Sequence, residues 1–312
     1  MRKRPWAGLA AKYGAAGENA HWRVIFDHYY WDRVEQAYQA AKTLGAGSVA
    51  SGLVGFRMIE GEYVTRSQST TRAATDWLDV EAVESTLPMA WSSLERSLIS
   101  SCDHAAKRIE FEHGPKTLIS VLTDETNVPW MPGRHGYCMD KFPYDKICIP
   151  ASSLRDSADL EHVILHEYAH VITLNLSNGQ CPLWLDEAVA MVAGGGVDRR
   201  AWRALASGAA PWLPPHDLGA AYLMNREDER ERSSVWLAYQ QSAAIGFYLS
   251  SLKGDQGLGD LMRGYTNNPL LVDLMMRIRG AEPTDEALKE VYGFGIAELF
   301  EGSLEWLRTE VL

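Results

Sequence analysis

The chain has 312 residues, of which 46% are hydrophobic, 10% aromatic and 23% charged, enough to bury a core in one large domain or two modest ones, which excludes a largely disordered chain. Its formal charge of -11 would repel phosphate backbones over most of the surface, so a nucleic-acid partner held by counterion release is excluded. No apolar run approaches the ~20 residues that a membrane-spanning helix needs.

The opening MRKRPWAGLAAKYG starts with positive charge, but its apolar stretch from Trp6 stops at Lys12, too short for a secretion-signal core. The expected location is therefore cytoplasmic, although a chain trimmed of a leader would look the same. Residues 21–26, HWRVIF, read as a short strand, and the segment from Trp31 as an amphipathic helix ending with Gly45 in the C′ position. Segment 48–80, with its polar run TRSQSTTRAATD, reads as weak strands and loop. Behind Pro88, Leu94, Leu98, Cys102, Ala105 and Ile109 recur at helical spacing.

From Lys116 the period changes. TLISVLT reads as a strand, residues 127–136 as a Pro/Gly-rich loop, and 136–139 and 146–149 as short strands that complete a small sheet. Ser157 is an expected N-cap, with Asp159 and Glu161 in the first turn of a helix that stops at Asn178 and Gly179. A second helix begins near Leu183 and runs into Gly194, Gly195 and Gly196. Beyond residue 200 the pattern is helical, near 234–252, 257–265, 269–279, 284–291 and 295–309, interrupted by the loop PWLPPHD and by REDERER, a solvated surface run. No repeat of fixed period is present. The cysteines at 102, 138, 148 and 181 lack metal-ribbon or redox spacing; Cys138 and Cys148 could face each other across a hairpin, but buried free thiols are the preferred reading. The expected fold class is α+β, with an N-terminal α/β segment over 1–110, a core over 111–205 and a helical region over 206–312.

The chemistry concentrates at His166-Glu167-Tyr168-Ala169-His170. Helix positions four apart lie one above the other, so the two imidazoles can reach one tetrahedral ion at about 2.0 to 2.1 Å. Glu167, rotated by about 100°, stands beside the ion, placed to take a proton from water. An HExxH string arises by accident in roughly one or two of a hundred chains of this length, so context decides. Here the motif lies inside an apolar helix after a strand-rich segment. Without a metal, two histidines and a glutamate there would bury three polar groups, each needing a partner. His162, one turn earlier, does not extend the site, because an i, i+4, i+8 triplet spans about 12 Å. Asp186 and Glu187 are the nearest downstream acids, on a helix that can fold back antiparallel after the Asn178-Gly179 turn. His216, in the PWLPPHD loop, is either a substrate contact or, better, a solvated histidine.

At this point a resemblance becomes specific. CPLWLDEAVAMVAGG is similar to a segment of the peptidase MA-like gluzincins, relatives of the zinc aminopeptidases, in which Trp, Leu or Phe, any residue, Glu, Gly, any residue and Ala follow one another; Trp184, Leu185 and Glu187 match. The resemblance implies a zincin-like core with His166, His170 and Glu187 holding one Zn2+ ion, Asp186 as spacer or rival ligand, and Glu167 as general base of a metallopeptidase acting on a peptide or protein. Tyr239-Gln240-Gln241-Ser242 is similar to the tyrosine-bearing helix after the third ligand, which implies Tyr239 as oxyanion donor, with Tyr222 and Tyr248 as alternatives. The likeness covers 116–309, closely over the two metal helices and loosely elsewhere. Ala188 stands where the family has glycine, and Met191-Val192 replaces an acidic-aromatic pair, so the orientation of a ligating ring must come from elsewhere. No GxMEN-type exopeptidase signature lies upstream. Two other functions compete with the peptidase reading: a catalytically silent, zinc-stabilised interaction module and a non-peptide amidase.

Overall fold

The computed structural model describes residues 18–43, 50–68, 70–114, 116–123, 136–139, 144–155, 157–222, 229–265 and 282–311. Among them are eleven helices and five strands, an α+β composition. They fall into two compact units: one comprises the described chain up to Ser101 together with His113–Glu167, the other Cys102–Glu112 together with Tyr168–Leu312. The sequence-based boundaries at 110 and 205 follow changes of pattern along the chain, whereas these units interleave along it.

The first unit begins with α1 (Glu18–Tyr30), α2 (Val34–Thr43) and α3 (Ala50–Arg66). The strand expected at 21–26 is therefore helical. Ile25 and Tyr29, four apart, are both buried, which is the helix period rather than alternation. Val34, Ala37 and Ala41 of α2 close on the same core with Ile59 of α3; Gly45 lies outside the described residues. Of the segment 48–80, expected as weak strands and loop, Ala50–Arg66 is instead helical, as α3, and strands follow only from Thr71. Its three glycines, Gly52, Gly55 and Gly61, each cost up to about 1 kcal/mol relative to alanine, and tertiary packing overrides that local preference.

Strands β1 (Thr71–Ala74) and β2 (Leu78–Ala82) follow, then α4 (Trp91–Arg108), β3 (Thr117–Leu122), β4 (Tyr137–Met139) and β5 (Asp145–Pro150). The sheet order is β1-β2-β3-β5-β4, with β2, β3 and β5 parallel and the two edge strands antiparallel. Register puts Val80, Ile119 and Ile147 side by side, as it does Ala82, Val121 and Ile149, so one face is apolar. The other face carries Glu81, Ser120 and Cys148 in one row, and Leu118 beside Lys146. Ions meet there: Lys146 Nζ pairs with Glu62 and lies 3.7 Å from Asp32 and 3.9 Å from Glu81, while Arg66 bonds Asp32 at 2.8 Å and Glu81 at 3.0 Å. The cysteines are free thiols, and Cys138 and Cys148 pair with successive partners across β4 and β5, which turns them to opposite faces. In α4 the predicted stripe is buried from Leu94 to Ile109.

Helix α5 (Ser157–Leu176) carries the HExxH residues. It ends as predicted: Asn178 and Gly179 take positive φ of 51° and 71°, and the Gly179 N–H donates to the Leu174 carbonyl. The side chain of Ser157, the expected N-cap, lies outside the described residues. In the second unit follow α6 (Leu183–Gly194), α7 (Arg199–Ser207), α8 (Pro215–Ala221), α9 (Glu229–Gly264), α10 (Glu282–Tyr292) and α11 (Ile296–Val311). Helix α9 is broken at Gly254, with φ 68° and ψ 178°, at the gap expected between two helices. The helix expected at 269–279 lies outside the described residues. Helix α6 makes its most extensive contact with α9, and Met191, Trp202, Ala243, Ala244 and Leu307 form a core from four helices. No described helix is long and apolar enough to cross a membrane.

Candidate metal centre

Helix α6 sorts its side chains by the chemistry of each position. Trp184 and Leu185 are fully buried, with Trp184 set edge-on against Phe300 at 5.3 Å, and Ala188, Val189 and Ala190 are buried one turn later. Between them Asp186 and Glu187 stay partly open, their side chains 18% and 16% exposed. A helix must bury one stripe and can leave the adjacent arc for charge, so the apolar residues of the motif hold the helix while its two acids face elsewhere.

They face α5. His166, His170 and Glu187 each offer one ligand atom, and the three atoms lie within 4.8 Å of one another, all on half-buried side chains. Nε2 of His170 is 3.7 Å from Oε2 of Glu187. That is too long for a hydrogen bond, and close to the separation of about 3.4 Å between two ligands on one tetrahedral ion with bonds near 2.05 Å. Two nitrogens and one carboxylate oxygen are a donor set that suits zinc and leaves a coordination position open. The residues present fit a divalent ion.

Asp186 settles which nitrogen of His170 faces that position. Its Oδ1 is 3.0 Å from Nδ1; an ionised carboxylate only accepts, so Nδ1–H donates and the lone pair is left on Nε2. An acid that can orient the ring is thus supplied by the residue before Glu187. Sequence reading treated Asp186 as spacer or rival ligand and missed this role; the available signal was an acid about 100° around the helix from the ligand. His162 is not part of the ligand group.

Glu167 is 8% exposed. The chain passes close to it at Gly136, just before β4, where an added Cβ would lie 3.2 Å from Glu167 Cγ, 3.3 Å from Val163 Cγ1 and 3.2 Å from the Cys148 carbonyl. Only a residue without a side chain lets the backbone run this near the acid without displacing a neighbour.

Tyr239 is on α9. It packs against the core of Met191, Trp202 and Ala243 and meets Tyr222 edge-on at 5.0 Å. Its neighbour Gln240 donates to the Gly196 carbonyl and accepts from the Asp198 N–H, beyond the C-cap Gly195 of α6. Glu187 lies in the first turns of that helix, about 12 Å back along the axis at 1.5 Å per residue. The structure brings His166, His170 and Glu187 together, and packs Tyr239 on the core that includes Met191 of α6. Of the alternatives, the Tyr222 hydroxyl bonds the Ala238 carbonyl and Ser242 Oγ, and Tyr248 packs on Phe294 and Trp306. His216 is exposed in the first turn of α8, as a solvated histidine would be. No family model matches the chain, and no curated protein matches it either.

Proposed function

We propose that the chain is a zinc-dependent hydrolase of gluzincin type, a metallopeptidase with a zincin-like core in which His166, His170 and Glu187 hold the ion. The observation that carries this reading is the convergence of those three ligand atoms within 4.8 Å, with an acid of the right register, Glu167, on the turn that bears His166. Zinc bound there would supply Lewis-acid polarisation of a carbonyl and a water that ionises near pH 7.

The chain's own groups do the rest. Glu167, largely buried and closely approached by the chain at Gly136, accepts a proton at its carboxylate and returns it to the leaving amine. Asp186 holds the His170 ring in one tautomer and one orientation. Glu167 does not bind the ion, and that separates an enzyme from a silent module: a purely structural site has no use for a general base.

The test is Glu167→Gln. Metal content measured by mass spectrometry on protein purified without added zinc should match the wild type at about one ion per chain, while cleavage of a diverse peptide library falls by at least a hundredfold. A wild type that carries zinc yet cleaves no peptide, or a variant that cleaves as fast as the wild type, overturns the peptidase reading.

A further inference from the structure

We infer that Gly246, in the middle of α9 and 59 positions beyond Glu187, is a positioning residue for the metal centre: its missing side chain sets where α6 presents Glu187 and Asp186. The inference rests on the ligand set proposed above and adds a residue that makes no contact with the ion.

The geometry is that of two helices touching at their backbones. A Cβ at Gly246 would lie 2.6 Å from the Ala188 carbonyl oxygen, 3.0 Å from its carbonyl carbon and 2.9 Å from Val192 Cγ2. Ala188 directly follows the ligand. The obstacle at 2.6 Å is backbone, which cannot turn aside as a flexible side chain can. A methyl carbon there must retreat beyond 3.0 Å, so the helices would separate by about 0.4 Å or more. Ligand distances in a well-formed metal site fall within about 0.2 Å of their usual values. A backbone shift next to a ligand is of consequence on that scale.

The anchors decide which part moves. The C-terminal end of α6 is tied to α9 through Gln240, which donates to the Gly196 carbonyl. Helix α9 is itself held by Trp202 Nε1 on the Gln240 carbonyl and by a pair of hydrogen bonds between Gln241 and the Leu213 backbone. The N-terminal turns of α6 meet α9 at the close approach of Ala188 to Gly246 itself, and close packing passes a shift on instead of absorbing it. Asp186 and Glu187 ride on those turns, so a single methyl group displaces both a ligand and the acid that orients His170.

Gly259 supplies a matched control. It lies in the same helix, and a Cβ there would meet the Ile109 carbonyl oxygen even more closely, but the backbone it would push belongs to the segment after α4. Zinc affinity of metal-free wild type, Gly246→Ala and Gly259→Ala is to be measured by competition with a chromophoric chelator, together with the visible absorption of the cobalt-substituted forms and thermal unfolding without metal. The expected result is a tenfold or greater weakening of zinc binding and an altered cobalt band for Gly246→Ala, against less than a twofold change and an unaltered band for Gly259→Ala. Equal affinities for Gly246→Ala and wild type overturn the inference, as does equal weakening by both variants, which would reduce the effect to global destabilisation. If Gly246→Ala does not fold, Gly246→Ala with Val192→Ala, which removes the side-chain clash and keeps the carbonyl one, takes its place. Failure of both to fold beside a folded Gly259→Ala overturns the inference too, because Gly246 would then determine the fold. A wild type that binds no zinc sinks the ligand set itself, a result distinct from any of these.

Discussion

Asp186 shows how a carboxylate outside a candidate ligand group can set the geometry of one of its members. Its hydrogen bond to His170 Nδ1, at 3.0 Å, leaves Nε2 as the basic nitrogen and fixes the plane of the ring. Asp186→Asn preserves the shape but removes the charge and offers an amide that need not present its oxygen. Zinc affinity should fall by about ten- to a hundredfold, read from chelator competition, with the fold unchanged by circular dichroism; an unchanged affinity would show that packing alone orients the ring. His166, Glu167 and His170 were legible in the sequence because three contiguous-turn positions on one helix have their relative directions dictated by 3.6 residues per turn. The partner of His170 was not, since it depends on how far α6 is rotated about its own axis when it packs, and nothing in the local sequence states that rotation.

Helices were legible where local preference and tertiary demand agree. The stop of α5 at Asn178 and Gly179 and the break of α9 at Gly254 follow from residues that accept positive φ. Helix α7, which the sequence reading did not single out, nevertheless starts on a local signal. Asp198 stands at its N-cap and accepts from the N–H groups of Arg200 and Ala201 at 2.8 and 3.3 Å, and those backbone bonds hold its carboxyl below the ordinary value of 3.8. Asp198→Ala should cost about 1 kcal/mol, seen as a drop of a few degrees in Tm. A lowered pKa in the folded state means stability that is present above pH 3.8 and lost as pH falls through the folded value. The gap between wild type and variant should therefore narrow below about pH 4; a gap constant down to pH 3 would exclude the carboxylate as its source. Helices α1 and α3 went unread for the opposite reason. Val24, Ile25 and Phe26 in succession imitate a strand, and the glycines of α3 weaken its local signal, so both become helices through burial of Tyr29 and Ile59 against a common core.

Each compact unit has its own interior, and that of the first is partly ionic. Burial alone would lower the pKa of the Lys146 amine, but Glu62 and the acids around it outweigh that, so it stands above its ordinary 10.5. Burial, reinforced by Glu62, raises the Tyr29 phenol above 10.0, and burial with Asp32 lifts Tyr144 to about 12. All three are raised, so the unfolded chain releases these protons first, and the stability they contribute is present below about pH 10 and lost as pH climbs through the folded values. Urea unfolding should accordingly show a steady loss of stability between pH 10 and 12, monitored by tryptophan fluorescence. Lys146→Met should lower stability by about 3 to 5 kcal/mol at pH 7, because Glu62 is left buried without its cation, and make the alkaline decline shallower; an equally steep decline would remove Lys146 from the account. The sequence by itself determined the composition of the interior and the helix pair that carries His166, His170 and Glu187, the group that could hold an ion, because i, i+4 spacing and turn residues act within a few positions of the chain. Tertiary structure alone decided that Asp186 meets His170 Nδ1, that Tyr239 packs on the core of Met191 and Trp202, that charge fills one face of the sheet, and that α9 approaches the Ala188 backbone at Gly246. Each of these depends on the rotation and separation of packed elements, which are set by the sum of contacts across the core and are written in no single segment.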